Sequence, residues 1–144
     1  MGYTKRTLQP GDEITRPVTG DEIGVHYTGW IYDESNCEND HKGKRFDTSI
    51  GRGVFKTTIG VGKVIKGWDE GVMEMSLGEK AIFTISEDYA YGNRGFPGVI
   101  PPNSALVFEI QLLSVNDTRY GKGNGDGKDT GLEKNKDPQL VKTK

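Results

Sequence analysis

The chain has 144 residues with 19 basic and 21 acidic side chains, so its formal charge is only −2. That length suits one domain with a modest core, and the near balance of charge leaves no footprint for nucleic acid or an acidic membrane. A single cysteine, Cys37, excludes an internal disulfide and fits a reducing compartment.

The hydrophobic share, 33%, is low for a compact domain and points to an ordinary core plus a polar tail. The opening residues MGYTKRTLQPG hold no apolar run of a signal peptide. Arg6 stands where a myristoylation motif after Gly2 wants Ser or Thr. No stretch approaches the ~20 apolar residues that span a bilayer. The expectation is a soluble cytoplasmic protein, with the nucleus as a further compartment.

In chain order, Tyr3 to Leu8 reads as a first strand stopped by Pro10-Gly11, and Pro17 and Gly20 mark a turn. Asp21 to Tyr32 alternates with period two, placing Ile23, Val25, Tyr27 and Gly29 on one face of a long strand. Asp33 to Lys44 has no apolar period and reads as an exposed loop between two strands, or a bulged excursion from one. Arg45 to Ser49 resumes extended structure, Ile50-Gly-Arg-Gly makes a flap, and Val54 to Ile59 is a short strand carrying Phe55. Lys80 to Ser86 puts Ala81, Phe83 and Ile85 on one strand face. Glu87 to Asn103 is a loop long enough to be functional rather than idle. Ser104 to Val115 is the last strand, with Leu106, Phe108, Ile110 and Leu112 on one face. From Asn116 to Lys144 the composition turns to Gly, Lys, Asp and Asn, which reads as a disordered or loosely attached tail.

The stretch Lys63 to Met75, KVIKGWDEGVMEM, is the one helical pattern. Ile65, Trp68, Val72 and Met75 recur at three- and four-residue steps and share a face. A single short helix among strands must bury that face against their sheet. Leu77-Gly78 is expected to end the helix, with Gly78 as a left-handed cap. Trp68 then lies in the contact, either as core alone or with one ring face open to a ligand.

Most chemistry finds no support in these residues. Asn124, Asp126, Gly127 and Glu133 fall near calcium-loop offsets, but Lys122 takes the lead position and no amphipathic helices flank them. Cys37 and His41 sit four apart without a second pair of metal ligands, or a group to orient a Cys–His nucleophile. No glycine-rich phosphate cradle opens a helix, and no serine has an evident His and Asp partner. Asp47 and Arg52 can pair across the flap, as a surface ion pair or as a carboxylate set beside aromatics. What remains is an aromatic set, Tyr27, Phe46, Phe55, Trp68, Tyr91 and Phe108, spread over six segments. It is either a plain core or the wall of one cavity.

Taken together, VHYTG, FDTS, KVIKGWDEGV, DYAYG and GFPGVIPPNSALVFEIQLL resemble the FKBPs, the macrolide-binding peptidyl-prolyl isomerases, over roughly Leu8 to Val115. The resemblance implies an α+β fold in which a five- or six-stranded antiparallel half-barrel wraps one short helix. The isomerase domain would span 1–115 and the tail 116–144. A pocket would lie between the concave sheet face and the helix, with Trp68 as its floor and Tyr27, Phe46, Phe55 and Phe108 as walls. Val64 and Ile65 match the pair at the helix start, where the Ile65 amide meets the ligand. Lys63, beside them, stands where an acidic or amide residue is frequent, at a backbone contact. Asp47 and Tyr91 match the polar side chains, Arg52 the flap arginine, and Val99 and Ile100 the apolar loop tip. Phe96 stands where a histidine is often found and makes the rim more apolar.

Implied substrates are proline-containing peptides and proteins, turned over without metal or cofactor by a monomer. Implied ligands are macrolides of the tacrolimus and rapamycin type, whose complexes would engage calcineurin or the TOR kinase. Rotation about an X–Pro bond faces ~18–20 kcal/mol of amide resonance. The twisted state is less dipolar than the planar one, so a dry aromatic pocket penalises it less. Trp68 and Phe46 with the other aromatics would hold the proline ring, and Tyr91 and the Ile65 amide the flanking carbonyls. Asp47 either meets the rotating carbonyl or organises Tyr27 and Arg52, and the sequence leaves both open.

Overall fold

The computed structural model describes residues 2–120. The calcium-like offsets from Lys122 onward, and the tail beyond 120, lie outside the described residues. The strands are β1 (Tyr3–Gln9), β2 (Glu22–Tyr32), β3 (Lys42–Thr48), β4 (Phe55–Thr58), β5 (Lys80–Ile85), β6 (Leu106–Val115) and β7 (Thr118–Arg119); one α-helix, α1, spans Lys66–Gly71. They form an antiparallel sheet ordered β1-β5-β6-β2-β3, with β4 paired to β2 and β7 to β6. The expected α+β architecture is therefore present, with two short strands added to the five on the main path.

Period-two alternation sets the inner face. Gly29 pairs with Phe108 and Phe108 with Phe83, and Tyr27 pairs with Ile110 and Ile110 with Ala81, so cross-strand rows of apolar residues run under the helix. Ile65, Trp68, Val72 and Met75 are all buried against them. The α-helix is only six residues long, far below the ~12–15 an isolated helix needs, so packing rather than propensity must hold it. Two glycines allow the close approach. A Cβ on Gly67 would lie 2.7 Å from Ile85, and one on Gly71 would lie 2.6 Å from Phe83.

The helix ends differently from expectation. It tightens into a 3-10 turn, Val72–Glu74, and Met75 is already extended. Gly78 does have φ +91°, but it sits in the following turn, where its N–H donates to the Leu112 carbonyl at 2.8 Å. The 3-10 turn closes the helix through the Met75 N–H to the Val72 carbonyl at 3.0 Å, so no left-handed residue is needed there.

The ordered chain also runs past Val115. β7 pairs with Ser114 and Val115, the Asn116 N–H reaches the Glu22 carbonyl at 2.7 Å, and the Tyr120 N–H reaches the Leu113 carbonyl at 2.8 Å. This hairpin is made by backbone groups carrying exposed side chains, so no apolar period announces it. Residues 116–120, expected to belong to a loosely attached tail, are instead held by backbone pairing.

Of the two readings of the 33–44 stretch, the structure shows the excursion, and β3 already begins at Lys42 rather than at Arg45. Asp33 and His41 pair through backbone, the Asn36 amide holds the Lys42 carbonyl at 2.6 Å, and the His41 ring stacks on Tyr32. Arg6 on the far strand β1 bonds Asp40 at 2.5 Å, tying the excursion across the sheet. No described helix is long and apolar enough to cross a membrane.

Candidate functional site

The inward alternation of β2, β3, β4 and β6 delivers Tyr27, Phe46, Phe55 and Phe108 to the same side of the sheet, and α1 lowers Trp68 among them. The indole meets Tyr27, Phe108 and Phe55 edge-on, at centroid distances of 5.0, 5.4 and 6.0 Å. Phe46 stands perpendicular to Phe108 at 5.6 Å. Such edge-to-face geometry is the favoured arrangement for aromatic quadrupoles. Gly29 makes room for it, since a Cβ there would lie 2.7 Å from the Phe108 ring and 2.8 Å from the Phe46 ring. Tyr27, Phe55, Trp68 and Phe108 belong to the buried core, each 0–1% exposed, and Phe46 and Tyr91 pack against it. Four of them box the indole or its neighbour.

The indole itself is 0% exposed, whereas the sequence reading allowed one open ring face. Its N–H and the Tyr91 hydroxyl are the two buried side-chain polar atoms without a hydrogen-bond partner among the described residues. Unmade hydrogen bonds of this kind cost about 1–3 kcal/mol each and call for an explanation.

Asp47 lies at the edge of the box, its side chain 4% exposed. One carboxylate oxygen accepts the Tyr27 hydroxyl at 2.6 Å. The other accepts the Thr48 N–H at 2.9 Å and the Arg52 guanidinium at 3.2 Å. Both oxygens are therefore held, and the ion pair is half buried, with the Arg52 side chain 46% exposed. Burial, then the hydrogen bond to Asp47 and its charge, push the Tyr27 phenol far above its ordinary range. Burial and the Asp47 charge do the same to Tyr91. Both phenols keep their protons throughout the neutral range and so remain able to donate.

The loop after β5 supplies Tyr91. This loop is stitched rather than slack: Phe96 and Ile100 exchange backbone hydrogen bonds at 2.8 Å, and the Asn103 N–H returns to the Gly92 carbonyl at 2.8 Å. Phe96 meets the Tyr91 ring edge-on at 5.8 Å, so it buttresses the phenol as well as the rim. Ile100 is buried, and Val99 is partly buried against the core. Val64 and Ile65 are buried, while Lys63 is exposed and outside the aromatic set. The Ile65 carbonyl accepts the Trp68 and Asp69 N–H groups and opens the helix. Its own N–H precedes the first turn, where no intrahelical acceptor exists.

Supporting residues were missed by pattern reading. Asp69, on α1, accepts the Gly60 and Gly62 N–H groups at 2.8 Å each and fixes the loop that leads into Val64. Ser49 is buried and its hydroxyl accepts the Tyr27 N–H at 2.8 Å. Neither pairing has a sequence signal beyond a polar residue near a turn.

Comparison with known proteins agrees with this geometry. The family described as FKBP-type peptidyl-prolyl cis-trans isomerase matches residues 14–113. FK506-binding protein 1B of Aspergillus fumigatus is 58% identical over 117 residues, covering 81% of this chain and 97% of its own length. FK506-binding protein 1 of Yarrowia lipolytica is 56% identical over 117 residues, 81% and 100% of the two chains. A peptidyl-prolyl cis-trans isomerase of Schizosaccharomyces pombe is 51% identical over 120 residues, 83% and 99% of the two chains. The chain therefore belongs to the FKBP-type peptidyl-prolyl cis-trans isomerase family and is an enzyme that isomerises X–Pro peptide bonds.

Proposed function

We propose that the aromatic box around Trp68 is where the X–Pro bond turns. The observation that carries this is the coincidence of a water-poor aromatic box with two buried donors, Trp68 Nε1 and the Tyr91 hydroxyl, that find no partner among the described residues. A proline ring seated among Trp68, Phe46 and Phe55 brings its flanking carbonyls toward the Tyr91 hydroxyl and the Ile65 amide. The planar amide is more dipolar than the twisted one, so the dry surroundings narrow the gap between them. No nucleophile is needed. Asp47 has both oxygens engaged by Tyr27, Thr48 and Arg52, which supports an organising part over direct attack on the carbonyl. Val64, Val99, Ile100 and Phe108 complete the apolar surround, and Lys63 contributes through its backbone.

Several relatives are named FK506-binding proteins. The same box would take macrolides of the tacrolimus or rapamycin type, and the filled complex would present the long loop to calcineurin or the TOR kinase. The enzyme would work as a cytoplasmic or nuclear monomer on proline-containing peptides and folding chains, without metal or cofactor.

The test is a proline-peptide isomerisation assay on the wild type and on Trp68→Leu, Asp47→Val and Tyr91→Phe. Each variant is expected to lose activity, with Trp68→Leu and Asp47→Val losing most. The wild-type rate should be flat around neutral pH, since no step moves a proton. Unchanged activity in all three variants would remove the site assignment.

A further inference from the structure

Between β4 and the helix the chain bends through Gly60, Val61, Gly62 and Lys63. Val61, Gly62 and Lys63 are exposed, so burial of apolar side chains does not hold the bend. Gly60 and Gly62 both take positive φ, +85° and +83°, a backbone that loses much conformational freedom when fixed. Asp69, in the first turn of α1, fixes it. Its Oδ1 accepts the Gly60 N–H and its Oδ2 the Gly62 N–H, each at 2.8 Å. Bonds of this charge-assisted kind are about twice as strong as neutral ones. We propose that Asp69 is a positioning residue for the isomerisation, aiming the Ile65 N–H at a substrate carbonyl without touching substrate itself; this rests on the reading of the box given above.

The Ile65 N–H lies in the plane of the peptide that joins Val64 to Ile65, and three restraints set the tilt of that plane. Upstream, the Gly62 N–H is tied to Asp69 Oδ2. In between, the Val64 side chain is 1% exposed and locked in the core. Downstream, the Ile65 carbonyl accepts the Trp68 N–H at 2.9 Å and the Asp69 N–H at 3.1 Å. Asp69 therefore acts at both ends of residues 62–65, through its carboxylate at one and its backbone N–H at the other. It is also the chain neighbour of Trp68, so the aim of the amide and the place of the indole are set by adjacent residues. An acidic side chain in a first turn ordinarily serves the helix dipole alone. Here both oxygens bond the preceding loop instead.

The experiment uses the full chain and its Asp69→Asn, Asp69→Glu, Glu79→Gln and Trp68→Leu variants. The readouts are kcat/KM toward a proline peptide, urea unfolding, and hydrogen–deuterium exchange of the Ile65 amide. Asn keeps one acceptor oxygen and turns an NH₂ toward the other glycine N–H, which opens one end of the clamp. In Asp69→Asn, kcat/KM should fall about five- to twentyfold, short of the ~100-fold that a full 1 Å misplacement can cost, and Ile65 exchange should quicken. Glu keeps both oxygens and the charge, so Asp69→Glu should recover most of the wild-type rate. Glu79→Gln loses a buried carboxylate beyond the far end of the helix and should keep wild-type kcat/KM while unfolding at lower urea. Wild-type kcat/KM in Asp69→Asn overturns the proposal, whatever its stability. So does a slow Asp69→Asn with unchanged Ile65 exchange, because the effect then does not pass through that amide. An Asp69→Glu as slow as Asp69→Asn, or an equal fall in Glu79→Gln, overturns it too. Full activity in Trp68→Leu removes the reading of the box and this role with it, whereas full activity in Asp69→Asn beside a slow Trp68→Leu removes the role alone.

Discussion

Tyr91 carries a buried hydroxyl with no partner among the described residues, and Tyr27 carries one that holds Asp47 at 2.6 Å. The two phenols should therefore respond in opposite ways to the same substitution. Tyr91→Phe removes a polar group that is costly to bury, so urea unfolding should show stability unchanged or raised by up to about 1 kcal/mol. Its kcat/KM should nonetheless fall about five- to tenfold, the worth of one hydrogen bond made only to substrate. Tyr27→Phe strips a donor from a buried carboxylate and should cost about 1–3 kcal/mol of stability. A destabilised Tyr91→Phe with full activity would reverse this reading. At this scale the sequence was legible where a residue lies on a periodic face of its own element, as Trp68 does on α1 and Phe108 on β6. It was not legible where a carboxylate reaches across chain, because the Asp69 bonds to Gly60 and Gly62 depend on how the loop folds back onto the helix.

Elements hold their places through two devices, glycine contacts and one buried ion pair. Gly71 lets α1 lie directly on Phe83. Gly71→Ala would favour the helix locally by about 1 kcal/mol, yet the added methyl meets the ring and should cost about 1–3 kcal/mol by overpacking. The expected net result is a lower urea midpoint with an unchanged m-value. Glu79 ties β1 to the turn before β5, accepting Lys5 at 2.6 Å, Thr7 at 2.8 Å and the Ser76 N–H at 2.9 Å. Burial alone would raise its pKa, but the Lys5, Ser76 and Thr7 hydrogen bonds and the Lys5 charge outweigh burial and hold it below the ordinary range. A depressed folded-state pKa contributes stability that is complete above the unfolded carboxyl value, ~4.3, and is lost as pH falls through the folded one. Stability should therefore drop as pH falls below about 4.3, and Glu79→Gln should be weaker at neutral pH with a shallower acid limb. Equal slopes in the two proteins would show that Glu79 does not contribute. Strand existence was readable from period two in β2, β5 and β6. β7 was not, since two exposed residues pairing by backbone carry no pattern, and the helix end was misplaced because a 3-10 turn needs no glycine.

The whole molecule is a sheet whose long central strand, β2, pairs with β3, β4 and β6 at once. That order is set by long-range backbone pairing, which no local pattern encodes; the family resemblance anticipated an antiparallel sheet around one helix, and the strand order comes from the structure alone. The consequence is that the box has walls from strands far apart in sequence, Tyr27 and Phe108 above all, and a ligand seated there would bind the folded chain only. By linkage such a ligand stabilises by RT ln(1 + [L]/Kd), about 2.7 kcal/mol at a hundredfold excess over Kd. For a domain of this size that is a rise in Tm of roughly 10 °C. A tacrolimus-type macrolide should therefore raise the melting temperature of the wild type by about that amount and leave Trp68→Leu nearly unmoved. A macrolide that left the wild-type melting temperature where it was would mean that the aromatic box does not accept this ligand class, while the isomerase assay would still stand as an independent test of the same side chains.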